Sequence, residues 1–173
     1  MPHDPALVSE TQDWLSKANE DLEAAERLLT VGSPLPSQAA FHAQQAAEKA
    51  QKAFLTWHRL NFPKTHDLGE LGAECVTIDP ALASLCSSVA LVGAYAVAPR
   101  YPGSGGEPTV EEAQEATGLA RAMYDAVIAR LPNVWRSPWV VRRFPSPARR
   151  QVSGTTSLTI ECVRRSPEVP QNT

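Results

Sequence analysis

A chain of 173 residues with 43% hydrophobic residues is long enough for one domain with a core of its own. Its net charge of −3 is unevenly spread, with nine Lys and Arg against seventeen Asp and Glu before residue 133, and seven Arg against two Glu after it. An acidic body argues against a broad phosphate-binding face and directs any nucleic-acid role to a local pocket or to the basic end. No apolar run approaches the ~20 residues that span a bilayer, and Met1-Pro2-His3-Asp4-Pro5 lacks the basic start and apolar core of a signal peptide, so a cytoplasmic protein without membrane contact is expected. Cys75, Cys86 and Cys162 are widely spaced and form no CxxC pair, which points to neither a disulfide framework nor a zinc site.

Ser9-Glu10-Thr11-Gln12 has the form of a capping box ahead of Trp14, Leu15, Ala18, Leu22, Ala25, Leu28 and Leu29 at helical spacing, so a first helix is predicted from about Glu10 to Thr30. Asp13, Glu20, Glu23 and Glu26 fall on its other face, a solvated surface rather than a metal site, since no His is interleaved. Gly32-Ser33-Pro34-Leu35-Pro36 ends it. The second helix, from near Ser37 to near Leu60, is antiparallel to the first because the connection is short. It is the centre of the pattern: Phe41, Ala46, Ala50, Ala53, Phe54 and Trp57 form one apolar stripe, and Gln44, Glu48, Gln51 and Lys52 fall largely on other faces. A stripe of Ala admits a second helix at close range.

Asn61 to Leu68 reads as a loop, with Thr65 able to cap a short helix beginning at His66. Asp79-Pro80 places a capping side chain before Pro at the first helical position, and a fourth helix is predicted from there through Tyr95 to Val97. Pro99 and Pro102-Gly103-Ser104-Gly105-Gly106 stop it. Thr109-Val110-Glu111-Glu112 is a second capping box, and Ala113 to Leu131 carry the last helix to Pro132. The expected architecture is all-α: an up-and-down bundle of four long helices plus a short one, over residues 10–131. Residues 132–173 are Pro-, Ser- and Arg-rich and read as a disordered tail, although Thr155–Val163 could form one strand. Its Arg pairs 142-143, 149-150 and 164-165, with Trp135, Trp139 and Phe144 nearby, offer charge and stacking for RNA; a solvated tail without a specific partner is the plainer alternative.

Polar groups at helix ends are the candidates for chemistry. His66, in the loop after the second helix, and Arg100-Tyr101, past the fourth, meet at one rim if those two helices run in the same direction. Arg, Tyr and a Gly-rich loop offer a bidentate phosphate contact, a stacking face and free amides, and the His adds a general acid or base. The plainer alternative has His66 capping a helix, Arg100 paired with a carboxylate and Tyr101 packed. Lys49 follows Gln45 by one helical turn, so both can reach a rim ligand or simply face solvent; His42 and His58 read as packing or surface residues.

Phe41-His42-Ala43-Gln44-Gln45-Ala46-Ala47-Glu48-Lys49-Ala50, then Phe62-Pro63-Lys64-Thr65-His66-Asp67-Leu68, then Tyr95 and Arg100-Tyr101-Pro102-Gly103 together resemble the HEPN domain family, as does Trp14-Leu15 opening the first helix. The similarity covers about Glu10 to Leu131. It implies a helical bundle assembled as a homodimer, often paired with a small nucleotidyltransferase in a toxin–antitoxin or two-component system, and no cofactor. Many members are metal-independent ribonucleases carrying an Arg and, a few residues on, a His. Here Arg100 is followed by Tyr101-Pro102-Gly103-Ser104-Gly105-Gly106-Glu107 with no His, and Arg59 and His66 have a similar spacing but flank the wrong loop. The chain thus resembles the branch ending in Arg-Tyr-Pro, for which the expectation is nucleotide or RNA binding by Lys49, His66, Tyr95, Arg100 and Tyr101. The alternative is a ribonuclease using His66 as base and Arg100 for the developing charge.

Overall fold

Asp4-Pro5 opens the first helix by the same chemistry as Asp79-Pro80: a carboxylate accepts the Ala6 amide, 3.1 Å away, and Pro occupies the first turn, where its missing N–H costs nothing. The computed structural model describes residues 4–62, 64–96 and 106–132, without the side chains of 94–96. Helix α1 runs Pro5–Thr30, α2 Pro36–Trp57, α3 Leu68–Ile78, α4 Ala83–Ala90 and α5 Val110–Arg130. The expected all-α bundle is observed, with no strand among the described residues. Ser9 lies inside α1, so the predicted box at Ser9–Gln12 does not form; the Asp-Pro signal upstream outcompetes it.

The α5 box does form, Thr109 Oγ1 accepting the Glu112 amide and Glu112 accepting the Thr109 amide. The fourth helix is shorter than predicted. A 3-10 turn at Pro80–Leu82 leads into the eight residues of α4, and the chain tightens again into a 3-10 helix, Leu91–Ala96. Tightening of a last turn is common where the end lacks α-helical partners, and Gly93 weakens the α-helical alternative here.

Helix α2 is the axis of the bundle. It packs along α1 and α5 and also touches α3 and the second 3-10 helix. Ala43, Ala46, Ala47, Ala50 and Ala53 are wholly buried, as are Ala18 and Ala25 of α1 and Ala120 of α5. Leu15, Leu22, Phe54, Leu55, Met123 and Val127 fill the space between. Ion pairs tie the elements from outside: Arg121 of α5 donates twice to Glu26 of α1, at 2.7 and 3.2 Å, and Arg130 pairs with Asp79. Gly72 allows α3 its close approach, because a Cβ there would come within 3.0 Å of Cys86 Cβ and 3.2 Å of Gln51 Nε2.

The end of α2 decides where the following loop goes. The chain closes the helix with a Schellman turn, Leu60 N–H donating to Leu55 O at 3.0 Å and Arg59 N–H to Thr56 O at 2.9 Å. Arg59 takes the left-handed position usually held by Gly, at φ 57°, at a cost of about 1 kcal/mol. The third helix begins two residues later than predicted, because Asp67 rather than Thr65 caps it by accepting the Gly69 and Glu70 amides. His66 is therefore left outside the helix.

Candidate functional site

The four polar residues that periodicity sets apart from the apolar stripe of α2 are themselves buried: Gln44, Glu48, Gln51 and Lys52. Three of them, one turn apart, form a polar seam. Lys52 Nζ donates to Glu48 Oε1 at 2.8 Å, and Gln44 Nε2 donates to Glu48 Oε2 at 3.1 Å. The third donor to this carboxylate is His66, whose Nδ1 lies 3.0 Å from Glu48 Oε1. Gln44 also reaches the His66 carbonyl at 3.4 Å, so the loop backbone is tied to α2 independently of the ring.

Burial alone would push the Glu48 carboxyl up. The hydrogen bonds from Lys52, His66 and Gln44, with the Lys52 charge, outweigh it and hold Glu48 below the ordinary glutamate range. Glu48 is thus ionised, and an ionised carboxylate only accepts, which assigns the proton of the contact to His66 Nδ1. The His66 side chain is 83% exposed and that of Glu48 is 5% exposed, so a buried anion fixes an imidazole whose other face meets water. In the neutral ring Nε2 then carries the free lone pair.

The seam continues on its other side. Gln45 Nε2 donates to Gln44 Oε1 at 2.7 Å, Lys49 Nζ donates to Gln45 Oε1 at 3.1 Å and to Asp21 of α1, and Asp21 also meets His42 Nδ1 at 2.9 Å. One chain of hydrogen bonds therefore runs from His66 through Glu48, Gln44, Gln45 and Lys49 to Asp21 and His42. Lys49 and Gln45 do share a face, as their spacing predicts, but the Lys49 charge is already matched by Asp21. Lys52 additionally lies 5.5 Å from the centroid of Trp14.

Of the predicted site residues, the structure joins Lys49 and His66 through this network. Tyr95 falls in the second 3-10 helix, which packs on α2. Arg100 and Tyr101 lie outside the described residues, as do the Arg pairs of the tail, Cys162 and the predicted strand at 155–163. Cys75 and Cys86 are buried free thiols, and burial pushes Cys75 up to about 12, so neither is an activated nucleophile. Among the described residues no group of three or more His, Cys, Asp or Glu could hold a metal ion, and no helix is long and apolar enough to cross a membrane.

A family model described as HEPN domain matches residues 11–131. The chain belongs to the HEPN domain family. Two solved structures share its fold. ST0689, an archaeal HEPN homologue, is 24% identical with a TM-score of 0.54, the match covering 69% of this chain and 96% of that one. TT1696 from Thermus thermophilus is 29% identical with a TM-score of 0.56, covering 70% and 98%. No curated protein matches.

Sequence reasoning missed the centre of this HEPN protein's polar seam. Gln44, Glu48 and Lys52 are placed off the apolar stripe without a partner being assigned to them, and Asp21 falls within the acidic run of α1 without standing out. The signal was present as a four-residue spacing: Gln44, Glu48 and Lys52 form one polar line on a helix that also carries seven Ala, and a helix so rich in Ala is surrounded on several sides.

Proposed function

We propose that this HEPN protein acts as a homodimer that binds the phosphate of a nucleotide or RNA at the rim around His66, and that it partners a small nucleotidyltransferase in a toxin–antitoxin or two-component system. The observation that carries the binding site is the exposed His66 ring fixed on buried Glu48. Lys52 already balances the Glu48 charge, so a protonated His66 leaves the cluster net positive, with Nε2–H directed away from Glu48 as a donor to a phosphate oxygen. In an otherwise acidic body this makes the rim a local anion site. Arg100 and Tyr101, by the family resemblance, would add a bidentate contact and a stacking face, with Tyr95 beside them and Lys49 in support. The partner and the dimer rest on that resemblance alone.

The Glu48–His66 pair supports a second reading, a metal-independent ribonuclease. A carboxylate that holds Nδ1–H leaves Nε2 able to take the proton of a ribose 2′-OH, and Arg100 would stabilise charge developing on the phosphoryl oxygens. One experiment separates the two. Purified protein is incubated with short RNAs in EDTA, beside His66→Ala and Arg100→Ala, and binding of AMP and RNA is titrated in parallel. Binding weakened in both variants, without cleavage, is the expected result and supports the binding module. Cleavage by the parent alone, leaving 2′,3′-cyclic phosphate ends, selects the ribonuclease. Equal affinity of all three proteins removes both residues from the site. Light scattering on the same sample checks the dimer.

A further inference from the structure

A groove runs between α3 and α4, which pack antiparallel and close. A Cβ on Gly72 would come within 3.0 Å of Cys86 Cβ, and one on Gly69 within 3.9 Å of Ala90 Cβ. With Gly and Ala where larger side chains would stand, the outer surface of the pair is left as an open concavity of about 400 Å³. Gly69, Ala73 and Val76 form one bank and Ala83, Ser87 and Ala90 the other, with buried Gly72 and Cys86 between them. Ala73, Ala83 and Ser87 are exposed. Leu91, next after Ala90, is a large apolar side chain left 74% exposed, so the apolar surface continues past the groove.

The course of the chain beyond α5 points to what covers this surface. Arg130 pairs with Asp79, three residues past Val76 and four before Ala83, which sets the end of α5 beside that end of the groove. Residue 132 is the last one described, and residues 133–173 follow from there. Residues 133–144 hold Trp135, Trp139 and Phe144, together with Arg136, Arg142 and Arg143, and no acidic residue. The groove has the opposite charge: Asp67 to Pro99 include Asp67, Glu70, Glu74 and Asp79 and no Lys, Arg or His.

Lengths agree as well. Gly69 to Val76 covers about 10 Å of helix, and Trp135 to Trp139 about 12–13 Å of extended chain, the form that Pro138 favours. Three residues of extended chain, from Pro132 to Trp135, reach about 10 Å. The banks also suit an indole. Ser87 Oγ gives its proton to the Ala83 carbonyl at 2.9 Å and keeps a lone pair for a donor, and an indole brings a broad apolar face with one N–H.

We propose that residues 133–144 dock in this groove of their own chain, with Trp135 at the Val76–Ala83 end, Trp139 at the Gly69–Ala90 end and the Arg residues beside the acids of α3. The test labels the full chain with 5-fluorotryptophan, each of its four signals being assigned by a Trp→Phe variant. The Trp135 and Trp139 signals should stand away from the free-indole position and resist broadening by a neutral gadolinium chelate, equally in dilute and concentrated samples. Ala73→Arg, at an exposed helix position, should return both to the free-indole position and expose them to the chelate, while the Trp14 and Trp57 signals stay in place as reporters of the bundle. Ser87→Arg does the same from the other bank and replaces Ala73→Arg if that variant disturbs the bundle. Glu115→Arg, an exposed change on α5, should release neither.

Trp135 and Trp139 signals at the free-indole position in the parent overturn the proposal. So do shielded signals that both groove variants leave in place, or that Glu115→Arg releases as well, since the segment is then held elsewhere or by net charge. Shielding lost on dilution gives the groove to a second copy of the chain and also overturns docking within one chain.

Discussion

Helix α2 meets its neighbours in two chemically opposite ways. Towards α1 and α5 it presents alanines, which bury no polar group, lose no rotamer freedom and set a short distance between helix axes. Towards the loop before α3 it presents Gln44, Glu48 and Lys52, which are buried and satisfied by one another, by His66 and by neighbouring Gln45. The alanine seam holds the bundle together without caring what the loop does. The polar seam contributes little net stability, since desolvation offsets much of its attraction, but it admits one arrangement of the loop, with His66 Nδ1 on Glu48. Packing sets the frame and the ionic seam aims the imidazole.

The largest test breaks the polar seam on one side. Lys52→Met leaves Glu48 buried without its cation and should destabilise the protein by about 3 kcal/mol in chemical denaturation, whereas adding Glu48→Gln to it should recover most of that loss. If the single and double variants are equally unstable, the seam acts as packing and not as a charge pair. The alanine seam is next. Ala50→Leu adds volume where Ala50 is wholly buried and should cost about 1–3 kcal/mol by forcing the helices apart. It should leave the phosphate affinity of the refolded protein near that of the parent, because nothing around His66 is touched. A loss of affinity equal to that of the Lys52 variant would merge the two seams into one.

This contrast also separates what was legible in the sequence from what was not. The alanine stripe, the Thr109 box and the Asp79-Pro80 start are local patterns, and each appears where periodicity and capping chemistry put it. Asp4-Pro5 carries the same start signal as Asp79-Pro80, yet the Ser9 box a few residues on is the more conspicuous pattern. Two start signals so close compete, and the earlier one, with Pro at the first turn, also gains a turn of helix. Of the site, His66 was legible as a His in a polar loop. Glu48 was not, because a helical wheel assigns a carboxylate to water unless a neighbour is known to cover it, and the neighbour here lies 18 residues on, in a loop. Coverage of that kind is a property of topology, which local spacing does not encode.

Acid should expose the polar seam with a smaller effect. The folded-state carboxyl of Glu48 is held down, so the unfolded chain takes up the proton first; the stabilisation is complete above the ordinary glutamate range and is lost as pH falls through the folded value. Asp79, hydrogen-bonded to Arg130, acts in the same direction, and Asp125, held up by burial, acts in the opposite one. Glu48→Gln should therefore flatten the acid side of the stability profile, its difference from the parent being widest near neutrality and closing as pH falls. A profile parallel to the parent's would place Glu48 outside the linkage.

The smallest effect on stability should accompany the largest on function. The His66 ring is mostly in water, and its loop is held independently by the bond from Gln44 to the His66 carbonyl and by the Asp67 cap. His66→Ala should thus change the unfolding free energy by less than about 0.5 kcal/mol, the range of surface substitutions away from caps and cores. The same variant removes the one exposed group that the Glu48 seam positions, so phosphate affinity should fall while the melting curve stays in place. If instead the melting temperature dropped together with affinity, the contact with Glu48 would be holding the loop rather than aiming the ring, and the polar seam would be a structural clasp of the same kind as the alanine one.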